Sequence, residues 1–175
     1  EQDAYFGQLR LSVQDQRGCK NKMIQIYYGY GKGKTTAAIG AGMRAKGAGM
    51  TVSFVQFYKD NKSSELSVLP FDIFEAPDSL PFNPGDEYKE WVDKAVKYIE
   101  SNNSDMIILD EFLDLIPKFL SADDALNLLR KNKEYILTGH TRIEPLFDKA
   151  DYITNFQKEK HPYDKGVKAR KGIEY

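Results

Sequence analysis

Eight residues near the start of the chain, Gly29-Tyr30-Gly31-Lys32-Gly33-Lys34-Thr35-Thr36, combine glycines, lysines and hydroxyls in an order suited to gripping a polyphosphate. Glycines let successive backbone N–H groups curl around an anion without Cβ clashes. Lys34 supplies a point charge for phosphate oxygens, and the Thr35 hydroxyl suits Mg²⁺. The usual P-loop leaves four residues between its first glycine and Gly-Lys-Ser/Thr. Here Gly29 and Gly33 are separated by three, Tyr30, Gly31 and Lys32. A second chemical feature is Asp110-Glu111, which closes the apolar run Met106-Ile107-Ile108-Leu109. A carboxylate at such a strand end can hold Mg²⁺ or its water shell against the β- and γ-phosphates of a nucleotide. Neighbours on a strand point to opposite faces. One of the pair therefore faces the metal shell, and the other serves as its partner or reaches the substrate.

Other catalytic chemistries find little support. The sequence offers no Ser–His–Asp spacing and no cysteine in a nucleophilic setting. His140 follows Thr138-Gly139 at a strand exit, on the rim of a site, and His161 lies in a basic tail. Neither has metal-ligand spacing to a second His or Cys. A guanine-selecting Asn-Lys-x-Asp stretch is absent, which favours ATP over GTP. Lys133 reads as a loop charge.

The phosphate loop needs a strand before it and a helix behind it. Met23–Tyr28 reads as the strand, and Ala37–Met43 as the helix, whose positive dipole end faces the anion. Lys46-Gly47-Ala48-Gly49 stops that helix. Further strands are expected at Met50–Phe57, Phe71–Phe74, Met106–Leu109, Tyr135–Gly139 and Tyr152–Phe156. Asn83-Pro84 reads as a cap and first helical residue. Behind it Tyr88, Trp91, Val92, Ala95, Val96 and Ile99 recur at helical spacing, so Trp91 is expected to face the core. Ser121 caps a helix running to Arg130, and a short helix spans Ile143–Lys149. Alternating strands and helices give an α/β fold, a P-loop (RecA-like) domain with a mainly parallel sheet and helices on both faces.

Composition sets outer bounds. At 175 residues the chain is expected to form one domain over residues 23–175, with residues 1–22 either an N-terminal arm over the site or a leader. A formal net charge of −1 argues against a nucleic-acid partner. No apolar run approaches the roughly 20 residues of a membrane span. A single cysteine, Cys19, fits a reducing, cytoplasmic setting.

The stretch Gly29–Ala38 resembles the shortened P-loop of the bacterial ATP:cob(I)alamin (corrinoid) adenosyltransferases. The likeness runs on through Arg44, Val55-Gln56-Phe57 with Lys59, Leu109-Asp110-Glu111 and Thr138-Gly139. It closes in the tail, where Gly166-Val167-Lys168-Ala169-Arg170-Lys171-Gly172-Ile173-Glu174-Tyr175 looks like that family's ending. The resemblance implies transfer of the 5′-deoxyadenosyl group of ATP to the Co(I) of cob(I)alamin, cob(I)inamide or cob(I)yrinate diamide, with release of triphosphate. It implies Mg²⁺ held by Thr35, Glu111 and Asp110. The triphosphate would lie on the loop residues Gly29 to Thr36, including Lys32 and Lys34, with Arg44 as a further nucleotide contact. It also implies a homodimer and a flavoprotein reductase as electron source. In this family an aromatic wedge displaces the lower axial ligand of the corrinoid. The corresponding stretch here, Ser79–Pro84, has Phe82 and no tryptophan, which makes Phe82 the candidate wedge. A P-loop ATPase or small-molecule kinase, and a nucleotide-binding regulatory module, are the rival readings.

Overall fold

A computed structural model of the chain describes residues 23–81, 84–129 and 132–173. Residues 1–22, on which the arm-or-leader expectation falls, lie outside that set, as does Phe82. The order of elements is β1 (Ile24–Tyr28), α1 (Lys34–Gly47), β2 (Val52–Gln56), β3 (Asp72–Phe74), α2 (Glu87–Ser101), β4 (Met106–Asp110), α3 (Ala122–Leu128), β5 (Glu134–Gly139), α4 (Glu144–Phe147) and β6 (Tyr152–Asn155). Short 3-10 turns at Ser64–Ser67, Phe112–Leu115 and Pro162–Lys165 complete the described chain.

The strands form one six-stranded sheet in the order β3-β2-β4-β5-β1-β6. Every pairing in it is parallel. Parallel strands must be joined by crossovers, so helices cover the faces and the strands become apolar on both sides. Alternation along β4 shows this directly. Ile107 and Leu109 pack with Val92, Ile99 and Leu128 of α2 and α3, whereas Met106 and Ile108 pack with Ala38 and Ala45 of α1. The α/β, P-loop-type architecture expected from the sequence is the one observed.

Parallel pairing has a second consequence. All strand carboxyl ends, and hence all the loops leaving them, share one edge. Residue pairing sets their level: Gln56 lies beside Asp110, and Tyr28 lies between Gly139 and Asn155. Helix α1 comes close to the sheet because Gly42 has no side chain. A Cβ there would sit 2.7 Å from Ile108 Cδ1 and 2.8 Å from Phe71 Cζ.

Helix α1 is longer than the expected Ala37–Met43 and α4 shorter than Ile143–Lys149, and two further helices differ from expectation at one end. Helix α2 begins at Glu87 behind Asp86, not at Pro84. The Pro84 carbonyl accepts from Lys118 Nζ, and Gly85 N–H donates to Glu87 Oε1, so this proline anchors a loop instead of opening a helix. Helix α3 ends at Leu128 with Leu129 as its C-cap, although Ser121 caps its start as expected by accepting from Asp124 N–H at 3.0 Å; Arg130, to which the helix is expected to run, lies outside the described residues. Trp91 packs against Phe57, Phe74 and Tyr88, in line with a core-facing role.

Leu109 is fully buried at the centre of the larger core cluster. Leu109→Ala is expected to lower unfolding free energy by about 2–5 kcal/mol in urea titrations without altering the urea dependence.

Candidate functional site

The phosphate loop is held from both ends. Gly29 and Gly33 have φ of 109° and 111°, left-handed values that favour glycine. Gly29 N–H donates to the Gly139 carbonyl, and Gly31 N–H donates to the Phe156 carbonyl at 2.7 Å. The segment leaving β6 thus forms a wall against the loop. A Cβ on Gly31 would lie 2.7 Å from the Phe156 and Gln157 carbonyl oxygens, and one on Gly29 would lie 2.6 Å from Phe156 O. These two glycines are required by the fold as well as by an anion. The helical ladder of α1 starts with Ala37 N–H to the Gly33 carbonyl. The first-turn N–H groups of α1 precede that bond and are available to an anion.

Lys34 is buried and folds back over the loop, its Nζ donating to the carbonyls of Gly29 (2.8 Å) and Gly31 (3.3 Å). Tyr30 stands exposed at the tip, its ring 5.4 Å from that of His140. Lys32 Nζ donates to the Ile173 carbonyl at 2.9 Å, which brings the basic tail back to the loop. Thr36 is exposed on the first turn of α1. Arg44 lies in the last turn of the same helix, about 15 Å along its axis from Lys34 at 1.5 Å per residue. The structure does not bring it to the loop.

Asp110 is the hub. Its carboxylate has no exposed surface and receives Thr35 Oγ1 (2.8 Å), Thr138 Oγ1 (2.7 Å) and Gln56 Nε2 (3.1 Å), with Lys59 Nζ at 3.5 Å. Gln56 must present its nitrogen to Asp110, since a carboxylate only accepts. Its Oε1 then faces away, buried and without a protein donor among the described residues.

Glu111 takes the other direction. Its backbone adopts a left-handed φ of 57°, and its N–H donates to Thr138 Oγ1. The side chain turns toward His140, whose Nδ1 lies 3.3 Å from Glu111 Oε2 and 2.9 Å from Asp114 Oδ2. Asp114 also accepts from His140 N–H, Thr141 N–H and Thr141 Oγ1. It thereby fixes both the β5 exit and the His140 ring. Sequence reasoning did not select Asp114. It sits on a 3-10 turn whose spacing carries no signal, though its proximity to Asp110-Glu111 could have drawn notice.

These contacts shape the titration of the cluster. Hydrogen bonds to Asp114 and then Glu111 outweigh burial and push the His140 imidazole up to about 9. Burial works against ionisation of Asp114, yet its bonds to His140 and Glu111 hold it well below the usual carboxylate range. Burial, with Asp114 and Asp110 nearby, raises Glu111 despite the imidazole.

Two donor sets could hold a cation. Thr35, Asp110 and Glu111 offer hard oxygens, which suit Mg²⁺. The orphaned Gln56 Oε1 is the kind of acceptor that the water shell of such an ion satisfies. Glu111, Asp114 and His140 bring two oxygens and a nitrogen within 4.8 Å of one another, and in both sets the atoms bond each other, Thr35 Oγ1 to Asp110 and His140 Nδ1 to Asp114 and Glu111. Beside them opens a cleft of about 750 Å³, lined by Tyr58, Lys59, Asp60, Lys62, Ser63, Leu80, Pro81, Glu111, Asp114 and His140.

Two outcomes are expected. Gly31→Ala should weaken ATP binding by at least about tenfold in calorimetry, because the loop must leave the Phe156 wall to admit the methyl. In NMR titrations of the metal-free protein, His140 should titrate near 9 and Asp114→Asn should bring it toward 6.5. A raised folded-state value means that the stability His140 lends is fully present below about pH 6.5 and lost as pH rises through about 9.

The sequence matches the family described as ATP:corrinoid adenosyltransferase BtuR/CobO/CobP over residues 20–175. It is 31% identical over 178 residues to a corrinoid adenosyltransferase of Escherichia coli (strain K12), covering 93% of this chain and 88% of that protein. A corrinoid adenosyltransferase of Salmonella typhimurium is likewise 31% identical, over 177 residues, with the same coverage. One from Pseudomonas aeruginosa is 26% identical over 182 residues, covering 93% of this chain and 86% of the relative. The match takes in the contracted loop, the Asp110 hub and the tail that returns to Lys32, and the chain belongs to the ATP:corrinoid adenosyltransferase family.

Proposed function

We propose that the chain transfers the 5′-deoxyadenosyl group of ATP to the Co(I) centre of a corrinoid and releases triphosphate. Membership of the family supports adenosyl transfer to a corrinoid and makes the chain an alkyl-transferring enzyme. The observation that carries the finer reading is the phosphate loop itself. It is braced by Phe156 on one side and joined through Thr35 to Asp110 on the other. Such a loop is built to hold a triphosphate still while a bond at its far end breaks.

Co(I) supplies the electron pair that forms the cobalt–carbon bond to C5′. The C5′–O bond breaks, and triphosphate departs with its electrons. Lys34, Lys32 and the first-turn N–H groups of α1 would bind the departing charge, a stabilisation that grows as the bond lengthens. Thr35, Asp110 and Glu111 would hold Mg²⁺, which neutralises phosphate charge when bound. Because Co(I) is the nucleophile, the residues have only to bind, align and exclude water. The cleft beside Glu111 and His140 would take the corrinoid. Phe82 follows Pro81 of the cleft wall in sequence, which supports its assignment as the wedge against the axial ligand. A homodimer, a flavoprotein reductase as electron source and a cytoplasmic setting complete the reading. No helix among the described residues is long and apolar enough to cross a membrane.

With ATP, Mg²⁺ and chemically reduced cobalamin, the visible spectrum should convert to that of an adenosylcobalt product as triphosphate appears. Release of ADP with Co(I) unconsumed would point instead to a kinase or ATPase. Lys34→Ala should reduce kcat/KM by about 10²-fold or more. Phe82→Ala should impair reaction starting from Co(II) far more than from prereduced Co(I), and equal losses would remove the wedge assignment.

A further inference from the structure

Two walls of the cleft come from different loops. Tyr58 to Ser63 leave β2, whereas Leu80 and Pro81 belong to the loop that leaves β3. Each loop is fixed near its root. Tyr58 holds a left-handed φ of 53°, its N–H donates to the Tyr88 hydroxyl, and its own hydroxyl donates to the Asp114 carbonyl. The Glu75 carbonyl accepts from Trp91 Nε1 at 3.1 Å. Asn61 belongs to the first loop without lining the cleft. Its Nδ2 donates to the Ala76 carbonyl at 2.6 Å, and its Oδ1 accepts from Ala76 N–H at 2.8 Å. One carboxamide thus meets both backbone groups of a buried residue, as the facing residue of an antiparallel strand would.

From this geometry we propose that Asn61 is a positioning residue for the corrinoid: its paired bonds to Ala76 set the separation of the two walls before the ligand arrives. The proposal rests on the cleft being the corrinoid site. Asp60 and Lys62, on either side of Asn61, pair with each other and so join nothing across the gap. Asn61 ties the outer part of the first loop to the second. Each of its bonds needs a different atom, a donor and an acceptor on one short side chain, which is what a carboxamide offers. Walls that are loose in the free protein must be ordered when a ligand enters, and that cost appears as lost affinity; a preset gap avoids it. The phosphate loop is braced separately, by Gly139, Phe156 and Asp110, so ATP binding does not draw on the clamp. Trp91 is the one tryptophan of the chain and holds the residue next to Ala76, so its fluorescence reports on this wall.

The test is equilibrium dialysis of the full chain, with Mg²⁺ and ATP, against cob(II)alamin, beside calorimetry with ATP alone. Asn61→Ala removes both bonds and should weaken cob(II)alamin binding by about tenfold while ATP affinity stays within about twofold. Asn61→Asp keeps the acceptor for Ala76 N–H and loses the donor, so its loss should be intermediate, about threefold. With no corrinoid present, Trp91 of Asn61→Ala should be quenched more readily by acrylamide than that of the unaltered chain. Unchanged corrinoid affinity in Asn61→Ala would overturn the clamp and leave the corrinoid site standing. Equal losses of ATP and corrinoid affinity would also overturn it, because they indicate general damage to the fold. No corrinoid binding by the unaltered chain would remove the clamp and the cleft assignment together. Adenosylation is assayed separately after chemical reduction. Binding that follows the expected order without turnover would uphold the clamp and sink the transferase reading.

Discussion

The contact on which the rest depends is the buried carboxylate of Asp110. It joins three segments distant in the chain: the first turn of α1 through Thr35, β5 through Thr138, and β2 with the loop that leaves it through Gln56 and Lys59. A fully buried carboxylate is costly unless its lone pairs are met by donors. The fold supplies them from every side. The same arrangement fixes how far the phosphate loop stands from the strand ends, because Thr35 is the second residue of the helix the loop feeds. Thr138 extends the control by bonding both Asp110 and the N–H of Glu111, so one hydroxyl sets the turn at which the two carboxylates diverge.

Divergence gives the adjacent acids different company. Asp110 is enclosed with hydroxyls and an amide, whereas Glu111 is partly buried in a cluster with Asp114 and a raised imidazole at the mouth of the cleft. The first belongs to the loop, and the second faces what lies opposite it.

Much of this was legible in the sequence because it rests on local chemistry. The strand–glycine–lysine–helix order dictates the loop, and the apolar run ending in Asp110 dictates a buried strand with an acid at its exit. The period-two rule predicts that Asp110 and Glu111 part, and they do, though through the left-handed turn at Glu111 just past the strand. The rest depends on residues distant in the chain. Nothing near Gly31 announces that Phe156 will press on it, nor that Lys59 will reach Asp110. Asp114 lies on a 3-10 turn, which leaves no periodic trace, and Pro84 has the local signature of a helix opener while its Lys118 partner lies across the fold. Arg44 shows the converse limit: closeness in sequence to the loop did not become closeness in space.

The wall against the phosphate loop has a bearing on how the domain is assembled. Residues 29–33 form one of the earliest stretches of the described chain, yet their support comes from Gly139 and Phe156, near its other end. A contact between segments so far apart must await closure of nearly the entire domain, and β6 is an exposed edge strand that, among the described residues, pairs with β1 alone. The motif written first is thus braced among the last. During synthesis, a nucleotide would meet a finished phosphate cradle only after the final strand had docked, so anion binding reports on completion of the fold rather than on the presence of its most recognisable sequence.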